Sequence, residues 1–130
     1  IQLLKKNKVF AYIQEQGNFI RNIIQKKIND LNLKNFIKII GHPGKITFVF
    51  NDFKNISGGV VRLYWIKRLA ELGVLTNGTL ILNYSHNRGI VKKLINNYLI
   101  VLQEIEKLIK NDFFFKLKNK IELKKDIREI

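Results

Sequence analysis

Phe36-Ile37-Lys38-Ile39-Ile40-Gly41-His42-Pro43-Gly44-Lys45-Ile46-Thr47-Phe48-Val49-Phe50 is the stretch on which the fold turns. Two runs rich in β-branched and aromatic residues, Phe36 to Ile40 and Ile46 to Phe50, stand either side of turn-forming residues, and such runs read as strands. Ile46, Phe48 and Phe50 recur at period two and so share one face. Proline pre-sets its own backbone angle and glycine tolerates a positive one, which suits Gly41-His42-Pro43-Gly44 to a tight connection.

Upstream, Phe10, Ile13, Ile20, Ile24, Ile28 and Leu31 return at helical spacing. They predict one amphipathic helix over residues 2 to about 33, or two joined near Gly17, with Asn32 and Asn35 at the exit. An interior glycine costs about 1 kcal/mol relative to alanine, so a kink at Gly17 is an option rather than a necessity. Downstream of Asp52 the chain loops through Ser57-Gly58-Gly59 into a helix from Val60 to Leu72. Ser57 is its N-cap and Gly73 its left-handed exit. Val74-Leu75-Thr76 reads as a short strand, Asn77-Gly78 as a turn, and Thr79 to Tyr84 as a further strand. Val91, Leu94, Ile95, Tyr98, Leu102, Ile105 and Ile109 form the apolar stripe of a helix from Arg88 to Lys110. Residues 1–110 therefore make one domain, followed by a basic tail, 111–130, that opens with Phe113-Phe114-Phe115 and has no assigned structure. The order of elements predicts an α+β fold, a small and mainly antiparallel sheet with helices packed on one face. Phe48, Phe50, Trp65, Leu69, Leu94, Tyr98 and Leu102 are its expected core.

Composition narrows the function classes. The chain has 130 residues, one proline, no cysteine and a formal net charge of +14. The absence of cysteine excludes disulfides, cysteine zinc sites and thiol nucleophiles. No apolar run approaches the roughly 20 residues that a membrane helix needs, and no targeting segment is visible, so a soluble, cytoplasmic protein is expected. A charge of this size is the footprint expected of a polyanion binder. Its carriers are mostly lysine, with arginine only at Arg21, Arg62, Arg68, Arg88 and Arg128, in a chain also rich in Asn, Ile and Phe. That mix points to coding bias rather than to a nucleic-acid interface, where arginine is favoured.

The segment Leu72-Gly73-Val74-Leu75-Thr76-Asn77-Gly78-Thr79, with the apolar run to Asn83-Tyr84-Ser85-His86 behind it, resembles the C-terminal segment of class III aminotransferases. These pyridoxal-phosphate enzymes include glutamate-1-semialdehyde aminomutase, and members read roughly Arg-Gly-Val-Leu-Thr-x-Gly and then Ser-Tyr-Ala-His. Gly41-His42-Pro43-Gly44 and the strand running into Asn51-Asp52 are similar to the family's Gly-His-Pro-Ser turn, strand and terminal Asp. The matches span about residues 1 to 110.

The resemblance implies the small C-terminal domain of a fold type I enzyme. The parent would be a homodimer that moves an amino group on pyridoxal phosphate, as a transaminase or a mutase, with a small amino-acid or amino-sugar type substrate. In that family the cofactor lysine and the acid opposite the pyridine nitrogen lie in the preceding large domain. This chain would hold no catalytic and no cofactor-binding residue, would pair with that large domain, and would be inactive alone. It opens at Ile1 inside a helical pattern, as expected of a C-terminal piece. His86 aligns with the histidine of the family's Ala-His pair and, with Arg88, is the candidate for the substrate cleft. The chain departs from the family at Leu63-Tyr64-Trp65-Ile66-Lys67-Arg68, where members read Leu-Phe-Leu-Gln-Glu-Met. It departs again at Asn87-Arg88-Gly89, where an acid-rich Ser-Asp-x-Asp is usual.

Each candidate has a plainer reading. His86 lacks a partner carboxylate, and a histidine there can simply bond a loop or cap the following helix. His42 reads as a turn residue, since a metal site needs three or four ligands and none cluster near it. Gly58-Gly59 and Asn77-Gly78 lack the full spacing of a phosphate loop. Arg62, Lys67 and Arg68 share a helix in which Tyr64 and Trp65 read as core. Glu15, Asp30, Asp52, Glu71, Glu104 and Glu106 are scattered, which argues against a hydrolase, and no metal site is expected. The alternative function is a small basic nucleic-acid-binding module without catalysis. It requires a positive stripe with aromatic rings exposed among the lysines.

Overall fold

The structure is a computed structural model that describes residues 2–74, 76, 79–81 and 88–114. It contains α1 (Gln2–Asp30), β1 (Ile37–His42), β2 (Lys45–Phe50), α2 (Gly58–Glu71), β3 (Thr79–Ile81) and α3 (Arg88–Lys110). The strands form one antiparallel sheet in the order β1-β2-β3. The fold is therefore α+β.

Alternation along the hairpin sets which face is covered. Ile37, Ile39, Ile46 and Phe48 are buried, while Lys38, Ile40 and Lys45 are exposed. The buried set packs with Ile20, Ile24 and Ile28 of α1, Val61, Trp65 and Leu69 of α2, and Val91, Tyr98 and Leu102 of α3. Phe50 and Leu94 are half-buried against the same cluster. Its centre is a trio of rings, one each from β2, α2 and α3. Phe48 lies 5.0 Å from Trp65 and 5.3 Å from Tyr98, and Trp65 stacks on Tyr98 at 5.2 Å. Among the described residues the Trp65 Nε1 and Tyr98 hydroxyl atoms find no hydrogen-bond partner. Burial pushes the Tyr98 phenol up, which keeps it protonated.

The strands reach further toward the turn than the sequence predicts. Gly41, His42 and Lys45 belong to the ladder, and only Pro43 and Gly44 form the connection. The positive φ falls at Gly41, at 98°. Gly44 N–H donates to His42 Nδ1 at 3.1 Å, so this histidine, expected in the turn, is the last residue of β1 and braces the turn with its side chain.

Gly17 does not break α1. A Cβ at this position would stand 1.9 Å from the Pro43 carbonyl oxygen, so the glycine exists to let the helix backbone approach the hairpin turn. One turn along, Arg21 donates to the Gly41 carbonyl at 3.0 Å. Phe10, expected on the apolar stripe, is 68% exposed, whereas Ile20, Ile24 and Ile28 are fully buried.

Two helix exits share one chemistry. At the end of α1, Leu33 N–H donates to the Ile28 carbonyl and Asn32 N–H to that of Asn29, with Asn32 at φ 57°. At the end of α2, Val74 N–H donates to Leu69 and Gly73 N–H to Ala70, with Gly73 at φ 91°. Both are Schellman closures. The second explains why Val74 and Thr76 are not in a strand, since the Val74 N–H is spent on closing the helix. Leu75, the Asn77-Gly78 turn and Leu82 to Tyr84 lie outside the described residues. Helix α2 starts two residues before the expected Val60, with Ser57 as N-cap. Asn111 to Phe114, the described part of the tail, bring Phe114 into full burial against Tyr64, with ring centres 5.6 Å apart. Among the described residues no helix is long and apolar enough to cross a membrane.

Two substitutions test this packing by chemical unfolding. Gly17→Ala improves helix propensity yet drives a methyl into the Pro43 carbonyl, so it destabilises the protein, by about 2 kcal/mol for overpacking; a gain in stability refutes the close approach. Tyr98→Phe removes a buried hydroxyl that has no partner, so it is neutral or stabilises by about 1 kcal/mol. A clear loss would mean that the hydroxyl is satisfied.

Candidate functional site

His86 lies outside the described residues. Arg88 is the first residue of α3, and its backbone alone is described. In sequence His86 falls between Thr79–Ile81 of β3 and Arg88, the first residue of α3. Their side chains are not brought together by anything described.

The Gly58-Gly59 turn is closed to an anion by the chain itself. Asp52 Oδ1 accepts from Gly58 N–H at 2.7 Å, and Ser57 Oγ accepts from Val60 N–H at 3.4 Å. Two of the backbone donors at the start of α2 are thus taken by the chain, and the one at Gly58 faces a carboxylate, which disfavours a phosphate there.

The best-organised polar cluster joins α2 to α3. Arg68 Nε donates to Glu104 Oε2 at 2.9 Å and its Nη2 to Oε1 at 3.0 Å, a two-pronged contact. The Tyr64 hydroxyl donates to Glu104 Oε2 at 3.0 Å, and Arg68 Nη1 reaches Glu71 at 3.2 Å. The hydrogen bonds from Arg68 lower the Glu104 carboxyl below its ordinary range, against the opposing pull of burial. Burial, followed by the hydrogen bond to Glu104, pushes the Tyr64 phenol up to about 12. Glu104 in turn holds the Arg68 guanidinium more firmly charged.

A carboxylate held ionised and saturated by three donors is a poor proton acceptor, and a phenol titrating this high is a poor base at neutral pH. The cluster is a clamp between helices rather than an acid-base pair. Beside it runs a groove of about 550 Å³ lined by Val60, Leu63, Tyr64, Lys67, Arg68 and Phe113. The helical spacing of Tyr64, Arg68 and Glu71 was visible in the sequence. Glu104 was not assignable to them, because it sits 36 residues from Arg68 and meets it only through packing.

The described side chains do not fit a pyridoxal-phosphate site. Every lysine whose burial is described is exposed except Lys27, which is half-buried on α1, whereas a Schiff-base lysine works desolvated or beside another cation. Among the described residues no group of three or more His, Cys, Asp or Glu converges on a metal-sized point. Comparison with protein-family models, with curated proteins and with solved structures finds no match.

Glu104→Gln tests the clamp through pH. Because the folded carboxyl titrates below its unfolded value, its stabilisation is complete above the unfolded pKa and is lost as pH falls through the folded one. The wild-type protein should therefore lose stability across that acid window more steeply than Glu104→Gln, and their urea midpoints should converge at its low end. Parallel curves would show that the pairing contributes nothing.

Proposed function

We propose that this chain is the C-terminal portion of a class III, pyridoxal-phosphate-dependent aminotransferase or aminomutase, acting on a small amino-acid or amino-sugar type substrate in a cytoplasmic homodimer. The observation that carries the reading is where the resembling residues fall. Gly41-His42-Pro43-Gly44 spans the β1–β2 connection, Asp52 caps the following helix, and Leu72-Gly73-Val74 closes α2 ahead of the β3 strand. The quoted motifs thus sit at element boundaries, where backbone geometry rather than packing constrains the residue type. An α+β unit with its helices on one sheet face is the architecture that the reading requires.

The chain's own share in such an enzyme is structural. Its sheet and helices carry the His86–Arg88 connection, which is the part of the chain proposed to border the substrate cleft. The Schiff-base lysine belongs to the large domain proposed upstream. The basic-module alternative gains little from the rings: Trp65, Tyr98, Phe36, Phe48 and Phe114 are in the core, and the exposed Phe10, Phe19 and Phe113 are divided between α1 and the end of α3.

Borohydride reduction in the presence of pyridoxal phosphate, followed by peptide mapping, tests the reading on two proteins. With the coding frame extended upstream of Ile1, a single lysine N-terminal to this chain takes the label stoichiometrically. In residues 1–130 alone, labelling spreads thinly over many lysines. Stoichiometric labelling of one lysine within residues 1–130, accompanied by transaminase turnover, overturns it. So does an extended protein in which no upstream lysine is labelled.

A further inference from the structure

Among the described residues no strand pairs with the outer edge of β1, which is therefore an edge strand of the sheet. In an antiparallel ladder the backbone groups of alternate residues point to opposite sides. The Phe36 carbonyl accepts from Asn51 N–H at 2.7 Å, which puts Lys38, Ile40 and His42 in phase with it, their N–H and C=O groups directed at β2. Ile37, Ile39 and Gly41 then face outward. Two of their groups are satisfied by the chain: Ile37 N–H donates to the Leu33 carbonyl, and the Gly41 carbonyl accepts from Arg21. Both groups of Ile39 and the Gly41 N–H have no partner among the described residues, whereas Ile37 is 1% exposed and its carbonyl is closed off. An added strand would therefore pair around Ile39 and Gly41.

The groove beside this edge has a volume of about 410 Å³ and is lined by Gln25, Lys34, Asn35, Lys38 and Ile40 among others. From α1 it is lined by Gln25, whose Nε2 donates to Asn29 Oδ1 at 3.1 Å. No carboxylate is among its described lining residues. Ile40, beside Lys38 on the outer face, is 51% exposed. A lysine on an edge strand commonly deters pairing with another edge. With a net charge of +14 on each copy, a second copy of this chain is disfavoured and a carboxylate-bearing segment is favoured.

We propose that β1 accepts an extended, acidic segment of a partner protein by strand addition. The partner backbone pairs with Ile39 and Gly41, its carboxylates reach Lys34 and Lys38, and its apolar side chains cover Ile40. Backbone pairing supplies affinity and the flanking lysines supply selectivity for acidic sequence. The site is independent of the His86–Arg88 connection and of any amino-group chemistry.

The test uses the full chain, isotope-labelled for NMR, and the blocked peptide Glu-Val-Glu-Val-Thr-Val-Glu. Chemical-shift changes should centre on Ile37 to Gly41, with Gln25 and Lys34 at the margin. Methylating alternate peptide nitrogens should abolish binding, because it removes donors without changing charge. Lys38→Glu should weaken the acidic peptide at least tenfold and improve binding of its lysine counterpart, while far-UV circular dichroism stays unchanged. The proposal is overturned if no binding appears at millimolar peptide, or if shifts scatter over lysines of every element. It is also overturned if the N-methylated peptide binds equally, or if oligouridylate produces the same shifts at β1, which would make the edge a general polyanion surface.

Discussion

The approach of α1 to the hairpin turn at Gly17 is the contact on which the arrangement of the sheet depends. With no side chain at that position the helix backbone meets the Pro43 carbonyl, and Arg21 takes the Gly41 carbonyl one turn later. These two contacts fix where α1 crosses β1 and β2. They bring Ile20, Ile24 and Ile28 down on the inner face of the strands. The ring trio of Phe48, Trp65 and Tyr98 then ties α2 and α3 to the same face. Everything that lies outward, the Lys38 and Ile40 face and the open side of β1, is set by that choice.

Much of this was legible in the chain. Period two in Ile46, Phe48 and Phe50 gave the covered face of β2, and Ser57 with Gly73 bracketed α2, because those signals are local and backbone-based. At Gly17 the sequence offers an optional kink, because propensity alone prices an interior glycine. Its real partner, Pro43, is distant in sequence, so the reason for the glycine is a tertiary contact. Val74 misled for a related reason: a β-branched residue after a helix looks like a strand, but its N–H is committed to Leu69. Phe10 misled because helical spacing identifies a face and not whether the core extends far enough to cover it. The Arg68–Glu104 clamp was invisible as a pair, although Arg68 itself stood out. Of the candidate cleft, only its place between β3 and α3 can be compared with the sequence, since His86 and the Arg88 side chain lie outside the described residues.

The functional reading and the edge proposal rest on different parts of the molecule. The first concerns the chain as part of a larger catalytic assembly, in which its lysines are surface residues and its clamp between α2 and α3 is a scaffold. The second concerns a strand edge whose backbone is unpaired and whose surroundings are cationic. The net charge enters only the second, where it disfavours a second copy of the chain as the occupant. What separates a binding surface from a merely basic one here is the coincidence of lysines with unsatisfied backbone groups in one groove.

Amide hydrogen exchange along β1 tests most directly whether α1 and the hairpin are arranged so that this edge is open. Lys38 and Ile40 N–H groups, directed at β2, should exchange slowly and only through unfolding of the sheet. Ile39 N–H, between them and facing outward, should exchange orders of magnitude faster in spite of its buried side chain. Equal, strong protection at Ile39, Lys38 and Ile40 would contradict the account, because it would mean that the edge of β1 is already covered.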